Sequence, residues 1–246
     1  MTPLFGHTRT HVALRHALIT PDGHVPSIFP GWDGATAYVL ISPAMGAELS
    51  QFLVVYEAGG GTAWFPADEH EHVVYVEKGD CRAVWDDGDL TLTDGGFLFV
   101  PSENVLALHG SEGTRMTVFR KLFEPVDNLE APPSVHGNAA DIPGEPFLGN
   151  EKALLQTLLP LDARYDLAMN IFTYQPGATL PFVETHVMEH GLLMLSGQGV
   201  YRLDDNHYPV TAGDAIWMAP YCPQWFVAMG DEPASYLYYK DVHRLP

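Results

Sequence analysis

Short apolar runs punctuated by Gly, Pro and Asp extend along the whole of this 246-residue chain. The stretches at 51–56 (Gln-Phe-Leu-Val-Val-Tyr), 72–76 (His-Val-Val-Tyr-Val), 96–100 (Gly-Phe-Leu-Phe-Val) and 116–119 (Met-Thr-Val-Phe) are rich in β-branched and aromatic residues. Such residues fit a pleated, half-buried surface, so each run predicts a β-strand. No segment sustains a helical period, and 20 Pro with 23 Gly work against helices. The pattern predicts an all-β protein.

The pattern also occurs twice. Residues 52–62 (Phe-Leu-Val-Val-Tyr-Glu-Ala-Gly-Gly-Gly-Thr) echo 170–179 (Asn-Ile-Phe-Thr-Tyr-Gln-Pro-Gly-Ala-Thr). Residues 93–101 (Thr-Asp-Gly-Gly-Phe-Leu-Phe-Val-Pro) echo 211–220 (Thr-Ala-Gly-Asp-Ala-Ile-Trp-Met-Ala-Pro). Arg120-Lys121 aligns with Tyr239-Lys240, and the offset between copies stays at 117 to 119 residues. Between them, 124–150 is rich in Pro, Gly, Asn and Asp and reads as a linker. The expected division is an N-terminal barrel over 1–125, a linker over 126–149 and a C-terminal barrel over 150–246. The repeat unit resembles the cupin fold, a small antiparallel jelly-roll barrel, in its Gly turn, its His-bearing strands and its Thr-x-Gly-Asp…Pro segment. Tandem copies imply a bicupin.

Metal-capable chemistry gathers in the second copy. Glu184, His186 and His190 lie in Pro-Phe-Val-Glu-Thr-His-Val-Met-Glu-His-Gly (181–191), and Gln224 follows in Ala-Pro-Tyr-Cys-Pro-Gln-Trp. On an extended strand Glu184 and His186 share a face, with His190 still in phase. One carboxylate, two imidazoles and one amide oxygen make a mixed, fairly hard donor set for a divalent first-row metal. Four protein donors leave two positions open on an octahedral ion, as catalysis at a metal requires. A hydrogen-bonded polar strand surface is the simpler alternative. Four donors in phase, inside a fold whose interior binds metals, favour ligands.

In the first copy Glu184 aligns with Pro66, His186 with Asp68, His190 with His72 and Gln224 with Val105, so only His72 keeps its type. The first barrel is expected to be metal-free and structural. Asp68, His70 and His72 alternate onto one face and leave a different second site open. Near the C-terminal site, Tyr236, Tyr238 and Lys240 alternate on the last strand, and Tyr201 follows a Gly turn. A Lys facing a barrel interior beside a metal is costly unless it meets an anion, such as a substrate carboxylate. The alternative has the tyrosines in the core and Lys240 reaching out of the barrel end.

Composition then narrows the function classes. Hydrophobic residues are 46% and charged residues 17%, ample for a core, while 12 basic against 31 acidic residues give a net charge of −19. That field repels phosphate backbones, so nucleic acid is not an expected partner. Cys81 and Cys222 lie in different halves and read as reduced thiols. No run approaches the roughly 18 apolar residues of a membrane helix. Residues 1–10 lack an apolar signal core, so a cytoplasmic protein with no membrane partner is expected.

Three segments carry a closer resemblance: Leu-Pro-Phe-Val-Glu-Thr-His-Val-Met-Glu-His-Gly-Leu (180–192), Gly-Asp-Ala-Ile-Trp-Met-Ala-Pro-Tyr-Cys-Pro-Gln (213–224) and Tyr-Leu-Tyr-Tyr-Lys-Asp-Val (236–242). They are similar to the (S)-ureidoglycine aminohydrolases, bicupins of allantoin and purine degradation whose bacterial members were earlier described as glyoxylate-induced proteins. The resemblance implies a manganese (Mn2+) enzyme that converts (S)-ureidoglycine and water into (S)-ureidoglycolate and ammonia. It implies metal ligands at Glu184, His186, His190 and Gln224, and substrate contacts at Tyr201, Tyr236 and Lys240. The general acid or base stays open among a tyrosine, Lys240 and Glu184. Two further readings remain: a cupin dioxygenase or isomerase, and a non-catalytic small-molecule-binding bicupin. Tandem barrels often associate through exposed sheet faces, so a homo-oligomer is expected.

Overall fold

The computed structural model describes residues 8–244, so most of the 1–10 segment read above for a signal core lies outside the described residues. Strands dominate, joined by tight turns and by single-turn 3-10 helices at Pro21–Gly23, Pro43–Met45 and Ala139–Asp141. The chain divides into two compact units, each built from a large and a small antiparallel sheet. The observed fold is the all-β bicupin that the strand pattern and its repetition predict. Among the described residues no helix is long and apolar enough to cross a membrane. Cys81 and Cys222 are both buried and free.

The first barrel comprises 25–143 and 158–168. Its large sheet runs Val135–Asn138, Gly96–Val100, His70–Lys78, Arg115–Leu122, Leu49–Tyr56, Ala35–Ile41, Pro26–Ser27. Its small sheet runs Gly61–Phe65, Leu106–Gly110, Cys81–Trp85, Gly88–Leu92. Alternation along the strands sends Phe52, Val54, Val74, Val76, Met116 and Val118 between the sheets, against Phe65, Ala83 and Leu108. His72 and Arg120 stand opposite each other on that same inward face. The other face of the Arg115–Leu122 strand carries Lys121, which forms a buried ion pair with Asp166 at 2.8 Å.

The second barrel comprises 8–24, 144–157 and 169–244. Its large sheet runs His11–Val12, His16–Ile19, Ala215–Met218, His190–Ser196, Ala234–Asp241, Leu167–Tyr174, Asn150–Thr157, Glu145–Phe147. Its small sheet runs Asn206–Thr211, Gln198–Leu203, Gln224–Met229. Gly199 is needed beside the neighbouring strand of the small sheet, since a Cβ there would lie 2.4 Å from the Phe226 ring. Leu18, Phe172, Tyr174, Leu192, Tyr201, Ile216, Phe226 and Tyr236 fill the interior.

The expected boundaries at 125 and 150 differ from these units in three ways. Residues 8–24 belong to the second barrel, where Ala17 pairs with Trp217 and Leu18 with Ile216, burying Leu18 in that core. Arg9 fixes the segment further with a two-pronged bond to the buried Asp214, at 2.6 and 2.8 Å. The stretch read as a linker contains Val135–Asn138, paired with Gly96–Val100, and Glu145–Phe147, paired with Asn150–Thr157. Residues 158–168 return to the first barrel, where Tyr165 packs edge-on against Phe99. The physical reason is common to all three. Strand pairing is a long-range choice, and Pro- and Gly-rich sequence is compatible with short edge strands as well as with linkers.

Candidate functional site

Loops and strands of the second barrel bring the candidate ligands together. Glu184 and Gln224 exchange backbone hydrogen bonds, Glu184 N–H to Gln224 O at 2.8 Å and Gln224 N–H to Glu184 O at 2.9 Å. Such an antiparallel pair sends its two side chains to the same side. The Tyr221 N–H holds the His186 carbonyl at 2.7 Å. His190 opens the strand His190–Ser196, flanked in register by Met218 on one side and Lys240 on the other. The expectation of one extended strand carrying Glu184, His186 and His190 in phase is thus corrected. Residues 185–189 form an irregular loop, and tethers to Tyr221 and Gln224 produce the convergence.

Glu184, His186, His190, Tyr201, Gln224, Tyr236 and Lys240 all line one cavity of about 110 Å3. The His186 and His190 Nε2 atoms stand 3.2 Å apart, and Gln224 Nε2 lies 3.0 Å from His186 Nε2. Two donors bound at about 2.1 Å and at right angles around one ion stand about 3.0 Å from each other. The spacing therefore fits adjacent positions on an octahedral cation, once the Gln224 amide turns its oxygen inward. Among the described residues no three His, Cys, Asp or Glu side chains close around a single point. The close convergence is of two imidazoles and one amide, with the Glu184 carboxylate on the wall of the same cavity.

Electrostatics suit a cation. Burial lowers the His186 pKa, and the Lys240 charge adds to the effect. His190 is lowered further by burial, His186 and Lys240 together. Both imidazoles are neutral at neutral pH and keep a lone pair for a metal. The His190 ring also hydrogen-bonds to the Tyr239 backbone, which fixes its orientation. Burial raises the Glu184 pKa, with Lys240 opposing the shift.

The rest of the wall is aromatic. Tyr238, Phe172, Phe147, Leu192 and Met218 complete the lining. The Tyr238 hydroxyl bonds to Asn170. Phe147 and Asn170 were not singled out by sequence. Phe147 sits in a stretch with linker composition, and Asn170 carries no motif of its own. The Tyr174, Tyr201, Tyr236 and Tyr238 hydroxyls all have pKa values raised by burial, so they remain protonated.

The first barrel builds a different arrangement at the same place. Asp68 bonds to Arg120 and to the His70 ring, the latter at 3.0 Å. His72 is fully buried with no partner on either ring nitrogen, its ring 4.8 Å from that of Phe65. Burial pushes its pKa down to about 3. Strand pairing also moves three correspondences: Phe65, paired with Leu106, rather than Pro66 is the counterpart of Glu184, which pairs with Gln224. Leu106, paired with Trp85, stands where Gln224 pairs with Leu203, so Leu106 rather than Val105 is the counterpart of Gln224. Arg120 rather than Lys121 is the counterpart of Lys240, since Arg120 faces His72 in register as Lys240 faces His190.

Comparisons with known proteins identify the chain's relatives. A family model described as a cupin domain matches residues 170–239. The chain is 35% identical over 245 residues to an Arabidopsis thaliana protein named (S)-ureidoglycine aminohydrolase, covering 98% of this chain and 80% of the relative. It is 35% identical over 232 residues to an Escherichia coli K12 protein of the same name, covering 93% of this chain and 88% of that one. The crystal structure of the E. coli protein Ylba superposes with a TM-score of 0.86 at 33% identity, covering 97% of this chain and 96% of Ylba.

Proposed function

This chain belongs to the (S)-ureidoglycine aminohydrolase family, and from that premise we propose that its second barrel performs the family reaction at a divalent metal held by Glu184, His186, His190 and Gln224. The reaction takes (S)-ureidoglycine and water to (S)-ureidoglycolate and ammonia. The observation that carries the assignment is the meeting of His186, His190 and Gln224 within 3.0 to 3.2 Å, in a cavity that also presents Glu184 and Lys240. Mn2+ suits this mixed nitrogen and oxygen set. When bound, such a cation supplies Lewis acidity and a fixed frame for substrate donor atoms.

The chain's own groups account for the rest. Lys240 faces His190 in register and offers an ammonium to the substrate carboxylate, fixing the orientation of the stereocentre. Departure of the amine needs a proton on the leaving nitrogen, and addition of water needs one removed. Glu184 is the carboxylate among the described lining residues. It takes the proton from water, while Lys240 or Tyr236 donates to the departing amine. Tyr236 remains a neutral hydroxyl that hydrogen-bonds the polar substrate. The aromatic and aliphatic wall limits access of bulk water.

The test is ammonia release from freshly generated (S)-ureidoglycine, against an uncatalysed control because the aminal decays spontaneously. We expect Mn2+-dependent release well above the control with no oxygen uptake. Release at the control rate by metal-loaded protein would refute the assignment.

A further inference from the structure

Gln224 points its amide the wrong way for a ligand, and the reason lies one shell out. Its NH2 is 3.0 Å from His186 Nε2, while its Oε1 accepts a long bond from the Tyr201 hydroxyl at 3.4 Å. An amide NH2 has no lone pair to offer a cation. Ligation therefore needs a half-turn that brings Oε1 to the imidazoles and sends NH2 toward Tyr201. Gln224 and Tyr201 are 3% and 2% exposed, so bulk water does not satisfy the group that turns outward. Tyr201 is hydrogen-bonded to Tyr236 as well, and the Tyr236 hydroxyl lies 3.3 Å from that of Tyr174.

We propose that Tyr201 is a positioning residue for the metal: its hydroxyl accepts from the turned Gln224 NH2, holding Oε1 on the cation, and passes its own hydrogen to Tyr236. A hydroxyl can make this exchange because it both donates and accepts. Phenylalanine cannot, and would leave a buried NH2 without an acceptor. The change travels one step further. Tyr236, accepting from Tyr201 and from Tyr174, turns its own hydrogen into the cavity it lines. Metal occupancy and hydrogen-bond donation to substrate are thereby linked through Tyr201.

This inference rests on the reading of Gln224 as a ligand, so the test separates the two. Chelator-stripped wild type, Tyr201→Phe, Gln224→Ala and the double variant are titrated with Mn2+ by calorimetry. Tyr201→Phe is expected to weaken Mn2+ binding about 10- to 100-fold, the usual effect of losing a partner of a metal ligand. In the Gln224→Ala background the same change is expected to have no further effect, because Tyr201 acts through Gln224. Wild-type affinity in Tyr201→Phe, or an equal loss in both backgrounds, overturns the role of Tyr201 alone. Failure of wild type to bind Mn2+ overturns the metal reading and this inference with it.

Discussion

In both barrels a residue with positive φ, Glu103 in the first and Tyr221 in the second, donates its N–H to a carbonyl at 2.7 Å, that of Asp68 or of His186. In both, a histidine stands in register opposite a cationic side chain: His72 with Arg120, and His190 with Lys240. The backbone frames agree at the level of single hydrogen bonds, while the chemistry diverges at the side chains they carry. Phe65 pairs with Leu106 where Glu184 pairs with Gln224. Asp68 is committed to Arg120, and the Phe65 ring lies against His72. A frame of this kind is held by strand pairing and core packing, which tolerate loss of the donors; the site needs every donor at once.

The largest difference between the barrels is expected in activity. His190→Leu should lower kcat/KM by about 1,000-fold or more, consistent with loss of a metal worth several kcal/mol to the reaction. His72→Leu should leave kcat/KM within about twofold. It should also be neutral or stabilising in urea unfolding, because it removes a buried imidazole that has no partner. Loss of activity in His72→Leu would break the comparison.

The two interior-strand lysines sharpen it. Lys121 and Asp166 are 3% and 0% exposed. Burial disfavours the Lys121 charge, yet Asp166 overcomes it and the pKa is raised. Lys121→Met should cost about 3–5 kcal/mol in urea unfolding by leaving a buried carboxylate unpaired, with kcat/KM unchanged for the folded fraction. Lys240→Met should do the reverse. It should raise KM about 10- to 100-fold, the range for one charged hydrogen bond to substrate, with little change in unfolding.

A pH titration of stability isolates His72. Below about pH 6.5 the unfolded chain binds a proton at this residue. The folded barrel refuses that proton until about pH 3. The native state therefore loses stability as pH falls through this window, by about 1.4 kcal/mol per pH unit from His72. Subtracting the His72→Leu profile from that of wild type should reveal this slope between pH 6 and pH 3 (roughly), and parallel profiles would contradict it. The smallest effect belongs to the N-terminal strand of the second barrel. Arg9→Ala should destabilise that unit by about 1–2 kcal/mol in urea unfolding, since Asp214 keeps its bond from the Thr211 N–H.

The sequence carried the repeat, the barrel type and the seven candidate residues that line one cavity, because each rests on local patterning or on a short motif. What it did not carry depends on distant partners. Nothing in 8–24 announces pairing with Ala215–Met218, and nothing in 158–168 announces Tyr165 against Phe99. The correspondence of Lys240 with Lys121 failed for a specific reason. From Leu106 to Arg120 is fourteen residues and from Gln224 to Lys240 is sixteen, so one extra residue in each strand flanking the final turn breaks the constant offset. An alignment of apolar runs absorbs such a change by sliding one residue, which reverses the face of every side chain on the strand. The candidate ligands converge through a loop rather than a strand, so their spacing in sequence agreed with the convergence for a different physical cause.

The central claim is that one barrel gathers a metal and the other does not. Mn2+ titration of chelator-stripped protein by calorimetry tests it directly, with wild type, His190→Leu and His72→Leu compared side by side. The account predicts one site per chain, lost in His190→Leu and retained in His72→Leu. Two sites per chain, or binding that survives His190→Leu and disappears in His72→Leu, would contradict it.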